Sequence, residues 1–112
     1  MQQQSHEASA SIAAQNTFTT AITVTGGVAT MVVSGTFVAT VVMQIRAPTD
    51  VGGVDWADGN TGWSDITDAT LAAAGQWTTV EVGGTWQVRA GVKTGGYTSG
   101  TAKVWLRSNT RG

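Results

Sequence analysis

Between Thr85 and Leu106 the sequence TWQVRAGVKTGGYTSGTAKVWL alternates apolar and polar residues twice, with a glycine-rich break between the two runs. Trp86, Val88, Ala90 and Val92 fall on one side, and Gln87, Arg89 and Lys93 on the other. Beyond the break, Ala102, Val104 and Leu106 take one side, with Thr101, Lys103 and Arg107 opposite them. A period of two is that of a strand with one dry face and one wet face. The linker TGGYTSG (94–100) supplies glycine where a tight reversal needs positive φ, so the stretch is expected to be a β-hairpin.

The same period recurs upstream. A strand is expected over 16–25, with Phe18, Ile22 and Val24 on one face and Thr17, Thr19 and Thr23 on the other. Gly26-Gly27 is expected to turn the chain into a short strand over 28–34, which Gly35 ends. The longest strand is expected over 36–46. There Phe37, Ala39, Val41, Met43 and Ile45 form one stripe, and Val38, Thr40, Val42, Gln44 and Arg46 the other. Both stripes are partly apolar, which suits a central strand. Pro48 stops it, because proline cannot donate to a ladder. After a Gly- and Asp-rich loop (51–62), Trp63 to Ile66 reads as a short strand. Asp68 to Gly75 reads as one helical turn capped by Asp68, or as loop. Gln76 to Val82 is a further strand, and Gly83-Gly84 turns it into the hairpin. The fold class is therefore all-β: a small antiparallel β-sandwich of about seven strands, Ig-like or jelly-roll-like in kind.

Residues 1–16 form a separate unit in this reading. MQQQSHEASASIAAQ is polar and small-residued, with little to bury against the entropy of ordering, so it is expected to be an extended N-terminal arm on a sandwich domain spanning 17–112. It has neither the basic nor the apolar region of a secretory signal.

Composition narrows the function. The chain of 112 residues is the size of one domain. It has no cysteine, so disulfides, thiolate metal sites and a Cys nucleophile are excluded. Six Lys and Arg are scattered rather than massed, which argues against nucleic acid. No apolar run approaches the roughly 18 residues of a membrane-spanning helix. Charged residues make up 12% of the chain, about half the usual share, and so poor a charge complement suits a surface that meets other protein.

Candidate sites are few. His6 is the only histidine and has no catalytic partner nearby in sequence. Asp50, Asp55, Asp58, Asn60, Asp65 and Asp68 offer oxygen ligands for Ca²⁺ or paired carboxylates. They lack EF-hand spacing, and Asx residues beside glycine are ordinary turn formers, the reading favoured here. No catalytic, cofactor or metal residue is assigned, and no enzyme is expected. Of five tryptophans, Trp86 is in phase with the core. Trp105 alternates with Lys103 and Arg107 on the outer side, and Trp56 lies in the polar loop. Trp56 and Trp105 are candidates for an interface or a ligand contact, against partial burial under a loop. Arg89, Lys103, Trp105 and Arg107 are expected to project together as a docking patch.

Three segments, GTFVATVVMQ (35–44), DGNTGWSDI (58–66) and WQVRAGVKTGGYTSGTA (86–102), together resemble a group of small virion proteins of tailed bacteriophages. The resemblance spans 35–106. It implies a non-enzymatic virion structural protein, most simply a capsid decoration or cement protein bound to the major capsid protein or another virion protein, with assembly in the host cytoplasm. A virion tail- or fibre-associated protein, or a carbohydrate-binding adhesin module, is the alternative. In the decoration reading the arm grips a neighbour by strand addition, with Gln2, Gln3, Gln4 and Ile12 as candidate contacts. A homo-oligomer is expected, with a trimer favoured. Removal of residues 1–15 is then expected to leave the domain folded.

Overall fold

The structure, a computed structural model, describes residues 4–47 and 62–110. Among these residues the chain forms seven strands and no helix. They are β1 (Gln4–Ile12), β2 (Thr17–Phe18), β3 (Ile22–Ala39), β4 (Val41–Arg46), β5 (Ser64–Leu71), β6 (Trp77–Val92) and β7 (Tyr97–Thr110). All pairings are antiparallel, in the order β1-β7-β3-β6-β4-β5, with β2 also against β6.

This continuous sheet folds over itself into a sandwich. β3 pairs with β6 through Thr25↔Thr85, slips register, and resumes at Gly27↔Val82. The slip falls at Gly26-Gly27 and opposite Gly83-Gly84, where strands that switch sheets make a corner. On one side of the corner lie β1, β7, Val28–Ala39 of β3 and Trp77–Val82 of β6. On the other lie β2, β4, β5 and the remaining halves of β3 and β6. At the far end two arches cross between the layers, one at Thr40 and one over 93–96. The Thr40 amide donates to the Gly96 carbonyl at 2.8 Å, which ties the arches together.

The core lies between the layers. Ala29, Met31, Val33, Val104 and Leu106 of the first layer meet Val24, Val41, Met43, Val88 and Val92 of the second, all at most 2% exposed. These are the residues in phase with a dry face, so the alternation is expressed as expected. The stripe Phe37, Ala39, Val41, Met43 and Ile45 packs inward along its whole length, although the chain changes layer at Thr40.

Four local expectations are corrected. The stretch 86–106 is not a hairpin: β6 and β7 are not paired, because β3 runs between them. Gly26-Gly27, Gly35 and Gly83-Gly84 do not reverse the chain, so β3 and β6 are single bent strands of 18 and 16 residues. Asp68 lies within β5, with no helical turn. The N-terminal segment is extended, but residues 4–12 pair with Thr110–Ala102 of their own β7 in one unbroken register. Ile12, a proposed contact for a neighbour, is fully buried in the core. Ala8 and Ala10 pack against the core as well, so main-chain bonds and three inward side chains together repay the ordering of the segment.

Glycine decides two close approaches. A Cβ on Gly91 would collide with the Thr17 carbonyl and lie 2.6 Å from Phe18 Cα, so β2 reaches β6 only because residue 91 has no side chain. Gly100 has φ +83° and would meet Thr36 and Phe37 of β3 in the same way.

Two outcomes are expected in chemical denaturation. Ile12→Ala lowers stability by about 2–4 kcal/mol, the cost of truncating a buried aliphatic, and an unchanged midpoint would return residues 4–12 to a detached arm. Gly91→Ala lowers it by about 3 kcal/mol through overpacking; a neutral result would contradict the β2–β6 contact.

Candidate functional site: two outward faces

The outer face of the second layer carries a stack of cations and rings. Phe18 was expected to face the core with Ile22 and Val24. Instead the chain bulges at 19–21, where the Ala90 amide donates to Thr19 Oγ1 at 3.2 Å, and Phe18 turns outward. The Arg89 guanidinium carbon lies 3.8 Å from the Phe18 ring centre and 4.5 Å from that of Trp63. Arg46 lies 4.5 Å from the Trp63 ring, which places Trp63 over both arginines.

Amide side chains supply the acceptors. Arg89 Nε donates to Gln44 Oε1 at 2.9 Å, and Arg46 Nε to Gln87 Oε1 at 2.8 Å. Gln44 Nε2 donates in turn to Asp65 Oδ1 at 2.9 Å, and Lys93 Nζ to Asp65 Oδ2 at 2.6 Å. Arg46 and Arg89 are only 9% and 8% exposed, and a burial so deep is tolerated because rings and acceptors replace water. The hydrogen bond from Lys93, and then that from Gln44, hold the Asp65 carboxyl below its usual range. Burial, and then the Arg46 charge, push the Arg89 pKa down, though a guanidinium stays protonated near neutrality.

This arrangement ties β5 and Trp63 onto β4 and β6. Beside it a cleft of about 260 Å³ is lined by Asn16, Phe18, Gln44, Arg89, Lys93 and Thr94. Among the described residues no group of three His, Cys, Asp or Glu comes together to hold a metal.

The outer face of the first layer has a different character. Its residues line up across strands in register: Ser9–Trp105–Val32–Trp77, then Glu7–Arg107–Thr30–Thr79, then Ser11–Lys103–Ser34. Trp77 is 67% exposed. The Thr30 and Thr79 hydroxyls are hydrogen-bonded at 2.9 Å, and Arg107 Nε lies 3.8 Å from Glu7 Oε1. A cleft of about 450 Å³ runs past Ser9, Ser11, Val32, Ser34, Lys103 and Trp105.

The expected docking patch is therefore divided. Lys103, Trp105 and Arg107 share the first outer face, whereas Arg89 lies on the second layer, under Trp63 and Phe18. The cause is the missing hairpin, since β6 crosses layers before it reaches Arg89. Gln4 lies in β1 opposite Thr110. Gln2, Gln3, Trp56 and the Asp50–Asn60 part of the acidic cluster lie outside the described residues. Asp65, from the same cluster, is engaged by Lys93. Sequence reasoning missed Trp77, although its phase with Thr79 and Glu81 marks it as outward. It also missed Trp63, whose position over two arginines has no local signature.

No protein-family model matches the chain, and neither a curated protein nor a solved structure is significantly similar to it.

Trp63→Ala is expected to destabilise the fold by about 2 kcal/mol, through loss of two cation–π contacts that are partly shielded from water. An unaltered melting temperature would contradict the clamp. Asp65 has a lowered folded pKa, so its contribution is present above the unfolded value and is lost as pH falls through the folded one. The stability gap between wild type and Asp65→Asn is thus expected to close on acidification below about pH 4. A gap that widens there would reverse the assignment.

Proposed function

We propose that the chain is a non-enzymatic structural protein of a virion, of the capsid decoration or cement kind. In this reading it attaches to the major capsid protein or another virion protein, and self-associates as a homo-oligomer with a trimer favoured. The likeness of 35–44, 58–66 and 86–102 to small virion proteins supports the setting. The observation that carries the attachment mechanism is the outer edge of β1, which among the described residues pairs with β7 alone.

Exposed sheet edges are usually guarded by lysine, proline, bulges or short length. β1 has none of these guards. It runs for nine residues with an unbroken register to β7, and QSHEASASI contains neither Lys nor Pro. The opposite edge, β5, is interrupted after Val42↔Thr70. A neighbour's extended segment can therefore add to β1 by main-chain hydrogen bonds. Repeated over a shell, weak additions gain strength through avidity. The strand addition proposed here reverses the roles expected from the sequence: the N-terminal segment receives a strand rather than reaching for one.

A proline pair tests this. Successive amides of an edge strand point alternately to the sheet and away from it, so one of Ser9→Pro and Ala10→Pro removes a bond to β7 and the other an outward donor. The variant that retains the wild-type melting temperature is expected to leave virions in a density gradient, while the wild-type protein bands with them. If the wild-type protein does not band with virions, the virion reading fails. If both bind, the edge mechanism fails.

A further inference from the structure

The β1 edge makes no use of the row Trp105–Val32–Trp77, which lies on the outer face of the first layer. We propose that this face is a binding platform for a neutral glycan chain, with Trp77 and Trp105 stacking on sugar rings and the adjacent cleft engaging their hydroxyls.

The geometry supports an extended ligand. Trp77 and Trp105 stand on strands that both pair with Val32, two strand spacings apart, or about 9.5 Å. That distance places an oligosaccharide across the row rather than a single ring. The indole of Trp77 is largely open to solvent, and Trp105 forms one wall of the 450 Å³ cleft. An indole offers a flat apolar surface together with one N–H donor, which matches the apolar C–H face and polar rim of a pyranose.

The rest of the face selects the ligand class. Ser9, Ser11 and Ser34 line the cleft with hydroxyls, and Lys103 adds a donor. Each can exchange hydrogen bonds with a sugar hydroxyl, singly or through water. Formal charge on the face balances, with Glu7 and Glu81 against Lys103 and Arg107. An anionic ligand would need a cationic excess that this face lacks, and single-stranded nucleic acid requires a positive groove beside its stacking rings. A protein-docking core is depleted in serine and concentrates its apolar area. Here Trp105, Val32 and Trp77 form a row bordered by Glu7–Arg107–Thr30–Thr79 on one side and Ser11–Lys103–Ser34 on the other, an amphipathic pattern that a polyhydroxylated ligand matches.

Intrinsic tryptophan fluorescence and calorimetric titration test the proposal, with maltohexaose, cellohexaose, laminarihexaose and a mannohexaose as neutral probes and heparin as the anionic control. Saturable binding of at least one neutral hexasaccharide is expected. It should weaken more than tenfold in Trp77→Ala, a substitution at an exposed position that leaves the melting temperature unchanged. Should Trp105→Ala perturb the fold, Ser34→Arg, which fills the cleft from an exposed position, provides the second test and is also expected to abolish binding. Absence of binding to every neutral probe at millimolar concentration overturns the proposal. So does binding of heparin alone, or neutral binding unaffected by Trp77→Ala and Ser34→Arg. None of these results depends on whether the protein bands with virions.

Discussion

Over Val28–Val32, β3 is bonded on both flanks, to β7 on one side and to β6 on the other. Toward the N-terminal end of β3 only β6 accompanies it, and toward the C-terminal end only β7. The sheet must therefore diverge into two layers, and the glycine corner turns it. β6 continues past the corner to meet β4, and β7 carries β1. The apolar residues of both layers then face one another across a shared core.

Much of this is visible in the residues, but not all at the same level. Which side of each strand is dry follows from alternation alone, and Val88, Val92, Val104 and Leu106 obey it. Which strand lies beside which does not follow. Two alternating runs separated by TGGYTSG look the same whether they pair or arch across a sandwich, because the turn signal reports only that the chain bends. Gly26-Gly27 and Gly83-Gly84 are ambiguous for the same reason: glycine allows a corner as readily as a reversal. β1 was concealed differently. Ala8, Ala10 and Ile12 alternate with Glu7, Ser9 and Ser11, but two of the three inward groups are methyls, too small to stand out from a polar background.

The two outer faces show how a chain with few charges uses them. Arg46 and Arg89 are buried in the second layer, where rings and glutamines compensate, and the exposed Lys93 pairs with Asp65 beside them. On the first layer Trp77 is exposed, whereas Trp105 and Arg107 are half-buried, with the Arg107 guanidinium 6.0 Å from the Trp105 ring centre. The second face is thus closed over two buried arginines, while the first leaves one large ring, that of Trp77, exposed among the described residues. The stacked arginines were the part of the site least legible in sequence. They depend on the position of Trp63 over Arg46 and Arg89, contacts between residues far apart in sequence that have no periodic signature.

The account depends most on β1 being a true edge strand of this sheet, with its outer side left open. Residue-resolved amide hydrogen exchange on the isolated protein measures this directly. Amides directed at β7 exchange slowly and those directed outward exchange quickly, so protection along residues 4–12 is expected to alternate with a period of two. Uniformly fast exchange would mean that the segment is not part of the sheet. Uniformly slow exchange in the monomer would mean that its outer edge is already occupied, and either pattern would contradict the account.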